Sequence, residues 1–241
     1  MEDSTRAGFL ESSSDHGGLL KELIKYNRCK TVVEIGVAYG TTTKYLCEGL
    51  LESDRWGERV GEGKGIVYGF DIWSTHGRKI SFPQLGSLEV AEQYLKESGL
   101  SNFKLCKIDT TSVEFSEKIK SISPIDFVFI DGDHSYAGVK NDFECVYPHL
   151  TASGIIVFHD TFMCDGSREF ILELRTSRFD GTFDITSTPW GNRHYKFGLS
   201  ILFKRYDASK LPGPGEMCGS NFSPSEITKR ESEWLAAQVK K

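Results

Sequence analysis

Acidic side chains recur where strand-like stretches of this sequence end, and one of these ends carries three ionisable groups. The apolar run 127–130 is followed at once by Asp131, Gly132, Asp133 and His134. In open α/β sheets, ligands bind outside the carboxyl ends of the strands. Close like charges repel, so acids repeated at one sheet edge are costly unless they bind a ligand. The pattern therefore predicts a polar ligand site, although any single acid could merely cap the helix that follows it. The other acids of this pattern are Glu34, Asp71, Asp109 and Asp160.

The segment VVEIGVAYGTTT contains a glycine loop that would let a ligand approach the backbone. Gly36 and Gly40 carry no side chain to block that approach, and a helical pattern begins just afterwards. The loop is neither a P-loop nor G-x-G-x-x-G, because its spacing is Gly-x-x-x-Gly with Glu34 before the first glycine. A carboxylate here would repel a pyrophosphate and suits a ligand that carries an amino group. Asp71 is placed to accept hydrogen bonds from ribose hydroxyls, and Asp109 from an adenine amino group.

Strand-like runs alternate with helical patterns along most of the chain. Strands are expected at 31–35, 66–71, 103–108, 126–130 and 154–158, and helices at 17–26, 41–51, 88–98, 113–122, 136–150 and 168–177. This alternation predicts βαβ units, and hence a parallel sheet with helices on both faces. The last strand-like runs, 182–186 and 196–204, have no helix between them and are expected to form an antiparallel hairpin at the sheet edge.

The composition of the 241 residues argues against several classes of protein. The net charge is −5 and no basic run stands out, which disfavours a nucleic-acid partner. No apolar run approaches the ~20 residues that a membrane-spanning helix needs, and the polar, acidic N-terminus is unlike a signal peptide. The six cysteines form no C-x-x-C pair and are interpreted as reduced residues. We therefore expect a cytoplasmic protein without a membrane partner.

Three regions are expected from these patterns. Residues 1–16 form a polar tail, residues 17–206 a single α/β domain, and residues 207–241 a linker rich in Pro and Gly that leads into a helix. That helix, around Trp234 and Leu235, would be amphipathic. It could dock on the domain or on a second copy of the chain, so a homodimer is left open.

E-x-G-x-x-x-G after the first strand, an acid after the second and KIDTTS after the third resemble class I S-adenosylmethionine-dependent methyltransferases. The resemblance covers residues 19–205 and implies a Rossmann-like, seven-stranded methyltransferase sheet with S-adenosylmethionine as cofactor. It assigns the glycine loop to the methionine moiety, the second acid to the ribose and the third to the adenine. By this resemblance the cofactor would contact Glu34, Gly36, Tyr39, Gly40, Thr41, Asp71, Ile72, Asp109, Thr110 and Asp131.

More narrowly, FVFIDGDHSY and GIIVFHDT resemble a branch of small-molecule O-methyltransferases that includes antibiotic-tailoring, sugar-methylating and catechol-type enzymes. Many of its members bind a divalent cation, and the matching ligands here are Asp131, His159 and Asp160. A metal on the acceptor hydroxyl would lower its pKa, and Asp133 or His134 would take the proton. Mg²⁺ prefers oxygen ligands, so His159 favours Mn²⁺, Fe²⁺ or Zn²⁺, or else no metal. His159 could equally act as a base or as a neutral support.

These features predict an O-methyltransferase that moves a methyl group from S-adenosylmethionine to a hydroxyl of a small molecule, either a sugar or glycoconjugate or a phenol. Two alternatives remain. An NAD-dependent Rossmann oxidoreductase would also place an acid after its second strand, but the loop lacks G-x-G-x-x-G. A protein could also bind the cofactor without catalysing transfer, since a fold and a cofactor loop do not fix the reaction.

Overall fold

The computed structural model describes residues 16–56, 65–73, 86–177, 182–189 and 197–205. Met1–Arg205 form one compact unit and Tyr206–Lys241 a second. The second unit, the first fifteen residues and residues 57–64 lie outside the described ranges, so the polar tail and the C-terminal helix stay predictions. Within those ranges, every helix is too short or too polar to cross a membrane.

The described residues form six helices, seven strands and one 3₁₀ turn. The helices are α1 (16–26), α2 (Thr41–Trp56), α3 (Leu88–Glu97), α4 (Val113–Ile122), α5 (Tyr136–Val146) and α6 (Asp165–Thr176). The strands are β1 (Thr31–Ile35), β2 (Ile66–Asp71), β3 (Phe103–Lys107), β4 (Ile125–Ile130), β5 (Leu150–His159), β6 (Phe183–Thr188) and β7 (Leu199–Lys204). The 3₁₀ turn, Tyr147–His149, follows α5.

These strands pair into one sheet in the order β3-β2-β1-β4-β5-β7-β6. The strands from β1 to β5 run parallel, and β7 is antiparallel to both β5 and β6. The predicted fold class, a mostly parallel sheet with an antiparallel edge hairpin, is confirmed. β2 and β3 follow β1 outward on one side of the sheet, and β4 pairs with β1 on the other side. An open α/β sheet binds its ligands in the crevice at such a switch point, here between β1 and β4.

Three helices begin at serine caps. The side-chain oxygens of Ser87, Ser112 and Ser135 accept hydrogen bonds from the backbone N–H groups of Val90, Phe115 and Gly138. Such a cap satisfies one of the amides that a helix start leaves unpaired, and it contributes about 1 kcal/mol. The predicted helix starts at 88, 113 and 136 are confirmed.

Several predicted boundaries are wrong by a few residues. α2 continues to Trp56 instead of ending at residue 51, since no glycine or proline interrupts it after Leu51 until Gly57. The helix predicted over 136–150 ends at Val146, where the 3₁₀ turn that contains Pro148 takes over. β5 then begins four residues earlier than expected, because the turn delivers the chain directly to the sheet.

The sheet is buried on both faces, which explains why its central strands are apolar at nearly every position. Along β1, Val32 packs into the core beneath α1, α2 and α3, whereas Val33 packs into the core on the opposite face. That opposite core includes Phe115 from α4, Phe143 from α5 and Phe170 from α6. A parallel sheet that is covered by helices on both sides requires such continuous apolar strands.

The chain leaves β1 through Gly36, in a space that admits no side chain. The φ angle of Gly36 is +90°, in the left-handed region that favours glycine. A Cβ atom there would overlap the carbonyl oxygen of Asp131 and lie 2.9 Å from the backbone nitrogen of Gly132. The backbones that follow β1 and β4 are therefore in direct contact, and a ligand bound at Gly36 would lie next to Asp131.

α5 buries an acid, Asp142, beneath the turn that follows β4. The residue is 0% exposed, and its Oδ2 atom has no hydrogen-bond partner. Burial raises the pKa of this carboxyl to about 6, with repulsion from Asp133 adding to the shift and a hydrogen bond to Thr110 opposing it. The carboxyl therefore holds its proton more tightly in the folded chain than in the unfolded chain.

Replacing Gly36 by alanine should destabilise the fold by about 2 to 5 kcal/mol, because a left-handed L-residue costs about 1 to 2 kcal/mol and the overlap with Asp131 adds to it. Gly99→Ala is the matched control: φ at Gly99 is +76°, but nothing lies within 4 Å of its Cβ position. Only the backbone cost of about 1 kcal/mol applies there. Urea unfolding followed by circular dichroism measures both losses, and equal losses would contradict the close contact at Gly36.

The raised pKa of Asp142 makes stability depend on pH. The contribution of the protonated Asp142 carboxyl to the free energy of unfolding is fully present below the ordinary pKa of 3.8. It is lost as the pH rises through the folded-state pKa of about 6. The loss is on the order of 3 kcal/mol. Asp142→Asn cannot ionise, so its free energy of unfolding should exceed that of the wild type by roughly 1 to 3 kcal/mol at about pH 8, and match it at about pH 4.

Denaturant titrations at the two pH values test this expectation. Glu144→Gln, at an exposed position on the same helix, should show no such difference. A wild-type protein that is more stable than Asp142→Asn at the higher pH would show instead that Asp142 is ionised and paired.

Candidate functional site

The glycine loop is held in place by Asp71 and Trp73 at the end of β2. Asp71 Oδ2 accepts hydrogen bonds from the backbone N–H groups of Val37 and Ala38, both at 2.9 Å. Asp71 Oδ1 accepts one from Trp73 N at 2.7 Å, and the Trp73 indole donates to Ala38 O at 2.9 Å. The acid lies beside the loop, but its contacts here fix the loop backbone, a role that the sequence analysis missed. Since a carboxylate oxygen has two lone pairs, Oδ1 could also accept from a ribose hydroxyl.

Glu34, one of the acids predicted at the strand ends, is buried in the structure, and its contact with a cofactor stays a prediction. Its side chain is fully buried, and the Thr43 hydroxyl donates to Oε2 at 2.5 Å. The other oxygen, Oε1, is buried without a hydrogen-bond partner. Burial raises the pKa of Glu34 well above its ordinary value, and repulsion from Asp131 and Asp71 adds to the shift. Glu34 therefore holds its proton more tightly than an exposed carboxyl does.

The other residues predicted to contact a cofactor through the loop surround it. Gly40 N donates to Val37 O at 2.8 Å, which closes the turn. Thr41 is buried at the start of α2, and Tyr39 is half-buried. Ile72 is 38% exposed just beyond β2, so an apolar side chain is available at the surface to pack against a base.

Asp109 and Thr110 shape the turn between β3 and α4. Asp109 Oδ1 accepts from Thr111 N at 2.8 Å and from Thr111 Oγ1 at 2.7 Å, and these bonds lower the pKa of Asp109. The carbonyl of Thr110 accepts from Asn141 Nδ2 at 2.9 Å. Asp109 is thus an exposed carboxylate at the ligand edge of the sheet, and its contact with an adenine stays a prediction.

Four ionisable side chains meet at the carboxyl ends of β4 and β5. The parallel register of these strands sets Asp131 and His159 side by side. His159 Nδ1 lies 3.0 Å from Asp131 Oδ1 and 3.3 Å from Asp160 Oδ1. His134 Nε2 lies 2.8 Å from Asp160 Oδ2 and 3.7 Å from Asp131 Oδ1. Each carboxylate therefore lies close to both imidazoles, and we call these four residues the Asp–His cluster.

The charges of the Asp–His cluster compensate one another. Burial disfavours the imidazolium of His159, but Asp131 and Asp160 outweigh it and raise the pKa of His159 to about 10. At His134 burial also opposes the charged form, but Asp160 and Asp131 outweigh it and raise the pKa. Burial acts against ionisation of Asp160 too, yet the two histidines lower its pKa overall. The His159 cation therefore offsets the charges of the two carboxylates, so the cluster is not a row of repelling acids.

Asp133, one of the two predicted general bases, is bonded to the start of α5 instead of to the Asp–His cluster. Its carboxylate accepts hydrogen bonds from Ser135 N and Ser135 Oγ, both at 3.0 Å. The structure thus gives Asp133 a role in capping the turn. Of the two candidates, His134 is the one whose side chain joins the cluster.

Three side chains of the Asp–His cluster have the spacing that a metal site requires. Single ligand atoms of Asp131, His159 and Asp160 all lie within 4.8 Å of one another, and so do those of His134, Asp160 and Cys164. Asp160 Oδ1 is buried and lacks a hydrogen bond of good geometry. A buried carboxylate oxygen of this kind fits a cation, and the mixed oxygen and nitrogen donors suit Mn²⁺ better than Mg²⁺.

Two aromatic rings that the sequence did not predict at the site pack against His159. His16, which the sequence placed at the end of the polar tail, is the first residue of α1 and is 3% exposed. Its ring centroid lies 4.7 Å from that of His159, and the ring of Phe197 stacks at 5.8 Å. No local pattern marks either residue, because both lie far from His159 along the chain.

Solved methyltransferase structures share this arrangement of strands and helices. An O-methyltransferase from Bacillus cereus in complex with SAH has a TM-score of 0.60 and is 15% identical, with 79% of this chain and 80% of that chain covered. TomG from Streptomyces achromogenes, an O-methyltransferase involved in tomaymycin synthesis and crystallised with SAM, has a TM-score of 0.61 and is 16% identical, with 79% of each chain covered. An rRNA methylase from Streptococcus thermophilus has a TM-score of 0.54 and is 17% identical, with 78% of this chain and 93% of that chain covered. The likeness establishes the fold and leaves the acceptor open.

Two curated relatives match parts of the chain. The uncharacterized protein y4gI of Sinorhizobium fredii is 26% identical over 197 residues, which are 78% of this chain and 18% of that protein. The uncharacterized protein R132 of Acanthamoeba polyphaga mimivirus is 53% identical over 36 residues, 15% of this chain and 16% of that protein. The matched parts span less than a fifth of the length of these relatives.

A family model described as a methyltransferase domain matches residues 33–161. These residues contain the glycine loop, the acid that ends β2 and the whole Asp–His cluster. The match covers more than half of the chain. The fold, the site and this match agree, and the chain belongs to the methyltransferase-domain family.

Proposed function

We propose that this chain is an S-adenosylmethionine-dependent O-methyltransferase that acts on a hydroxyl group of a small molecule. The observation that carries the proposal is the contact between the glycine loop and the Asp–His cluster. Gly36, the first glycine of the loop, packs directly against the backbone of Asp131. A methyl donor held by the loop would therefore lie beside side chains that can deprotonate an acceptor.

The loop and its neighbours suit the separate parts of the methyl donor. α2 begins at Thr41, directly after the loop, and the amides at a helix start favour an anion such as the methionine carboxylate. Asp71 could accept from the ribose hydroxyls and Asp109 from the adenine amino group. The exposed side chain of Ile72 offers the base an apolar surface.

His134 is placed to act as the general base. Its Nε2 atom donates to Asp160 Oδ2 at 2.8 Å, which leaves Nδ1 to accept the proton of an acceptor hydroxyl. Asp160 thereby orients the imidazole and stabilises the imidazolium that forms. As the hydroxyl oxygen bonds to the methyl carbon, the carbon–sulfur bond breaks, the thioether product leaves with the electron pair, and the proton stays on His134.

The Asp–His cluster also suits a divalent cation. When bound, such an ion lowers the pKa of a coordinated hydroxyl. Asp131 and Asp160 would hold it through oxygen, and His159 through nitrogen once its Nδ1 proton is released, a donor set that Mn²⁺ accepts. In the absence of the ion, the base and the alignment of the donor would still act on the acceptor.

The acceptor that fits best is a small hydroxylated molecule with an apolar face, such as a phenol or one face of a sugar. Phe162 and Met163 follow the cluster in the chain and are 42% and 54% exposed. Bonds from Met163 N to Asp160 O at 3.2 Å and from Phe162 N to Phe197 O at 2.9 Å hold their backbone. Apolar side chains held at the surface beside a polar group are typical of a ligand site. The net charge of −5 opposes a nucleic-acid acceptor.

An NAD-dependent oxidoreductase would use the same sheet edge and an acid after β2, but the methyltransferase-domain match over residues 33–161 disfavours it. A chain that binds the cofactor without transferring the methyl group is the other alternative. Cofactor binding separates the first alternative from the proposal, and turnover separates the second.

Calorimetry should detect binding of S-adenosylhomocysteine, and label should pass from methyl-labelled S-adenosylmethionine to a probe acceptor such as 3,4-dihydroxybenzoate or a nucleotide sugar. His134→Gln should lower transfer by about 10²- to 10⁴-fold, since it removes the base. It should leave the affinity for S-adenosylhomocysteine unchanged. His149→Gln, at the opposite end of β5, is the matched control and should change neither quantity.

Each other outcome has a distinct meaning. Stabilisation by NADH without binding of S-adenosylhomocysteine would favour an oxidoreductase. Binding of S-adenosylhomocysteine without transfer to any probe would favour a non-catalytic protein. Full transfer by His134→Gln would remove this histidine from the mechanism.

Mn²⁺ should bind the wild-type chain more tightly than Mg²⁺, because one donor of the proposed site is nitrogen. Asp160→Asn weakens one ligand and should lower the Mn²⁺ affinity by at least about tenfold. Asp165→Asn, at an exposed acid in the first turn of α6, should leave the affinity unchanged. Titration calorimetry with manganese and magnesium chloride measures these affinities. If titration with Mn²⁺ gives no heat, the proposed metal site is wrong, but the proposed role of His134 is unaffected.

A further inference from the structure

His16 is a polar residue that the fold buries at the centre of the candidate site. It is the first residue of α1, yet only 3% of it is exposed. Its ring lies 4.7 Å from the ring of His159 with an angle of 51° between their planes. It also stacks on Phe129 of β4, at 5.5 Å and 28°. One side chain of the first helix thus contacts both strands that carry the Asp–His cluster.

The opposite edge of the His16 ring reaches the helix that follows the glycine loop. His16 Nε2 lies 3.3 Å from Thr42 Oγ1, within hydrogen-bond distance, and both residues are buried. Thr42 is the second residue of α2. The His16 ring therefore connects the start of α2, where the donor loop ends, with His159 at the end of β5.

Within the described part of the chain, carboxylates and aromatic rings surround the imidazole of His159. Asp131 and Asp160 lie at its Nδ1 atom, at 3.0 and 3.3 Å. His16 and Phe197 lie against its ring. The two carboxylates fix where the nitrogen is, but they do not fix the plane of the ring around it. That plane is set by the aromatic neighbours, because tightly packed rings leave few orientations open.

The charges at this contact are compatible with close packing. Burial lowers the pKa of His16 to about 4, with repulsion from the His159 cation adding to the shift and attraction to Asp131 and Asp160 opposing it. The contact between the two rings is given by their geometry, with the ring centroids 4.7 Å apart. A cation beside a neutral aromatic ring is also attracted by it.

We infer that His16 is a positioning residue, which holds the ring plane of His159 so that Nδ1 stays aimed at Asp131 and Asp160, and which ties that ring to Thr42. Its functional meaning rests on the proposed methyl transfer, but the contact itself can be tested without any acceptor. A His16 that merely filled the core would affect stability and leave the bond between His159 and Asp131 unchanged.

The test is the proton on His159 Nδ1, followed by nuclear magnetic resonance in the full chain. An imidazole N–H that is bonded to a carboxylate and shielded from water gives a far downfield signal, which His159→Gln assigns by removing it. In His16→Ala this signal should shift upfield and exchange with water at least about tenfold faster, because the ring is free to rotate and water can enter. Thr42→Val should give a smaller change of the same sign. Tyr26→Ala, at a residue on the same helix that is 67% exposed, should leave the signal unchanged.

Kinetics provide a second readout where a probe acceptor is turned over. His16→Ala should lower kcat by about tenfold or more, since catalysis is sensitive to small misplacements of supporting groups. The KM for the acceptor and the affinity for S-adenosylhomocysteine should change little. A mere loss of stability would lower the thermal midpoint and leave kcat per folded molecule unchanged.

A His16→Ala protein with the wild-type signal and exchange rate would overturn the inference, whatever its stability. Should His16→Ala fail to fold, Thr42→Val decides, because it leaves His16 in place and removes only the tie to α2. A wild-type signal in Thr42→Val would then count against the inference. Failure of the proposed function appears separately, as missing methyl transfer in a wild-type chain whose downfield signal is intact.

Discussion

The parallel pairing of β4 with β5 is the interaction on which the candidate site depends. It sets Asp131 beside His159 at the ends of two adjacent strands. β4 and residues 154–159 of β5 are buried on both faces, so a shift of one residue would turn apolar side chains out of one core and into the other. The sheet core therefore holds the two ends in register. His134 and Asp160 then complete the cluster from the turns that follow.

The close approach of the β1 and β4 ends adds the second requirement, which is proximity between a donor and a base. Gly36 lets the two backbones touch, and Asp71 fixes the loop that continues from it. Glu34 is buried near the end of β1, and burial raises its pKa. A charged Glu34 would add to the negative potential near Asp131 and Asp71, where like charges already repel.

Residues from distant parts of the chain cover His159 and thereby strengthen its attraction to Asp131 and Asp160. His16 from α1 and Phe197 from the segment before β7 cover the His159 ring. Covering an ion pair removes it from water, which costs solvation but also strengthens the attraction between the charges. The shifts in the pKa of His159 and Asp160 show that attraction prevails here. The first helix is thus part of the site and not an appendage to the sheet.

The sequence by itself determined the alternation of strands and helices, the glycine loop and the convergence of Asp131, His159 and Asp160, because parallel strands end at one edge of a sheet. Only the tertiary structure decided which side chains face that edge. Glu34 turned out to be buried, and His16, assigned to a polar tail, packs inside the site. Periodicity along a chain reports which face of an element a residue occupies, whereas burial, hydrogen bonding and charge pairing depend on neighbours in space. Those neighbours come from elements far apart in the chain, so no local pattern could have revealed them.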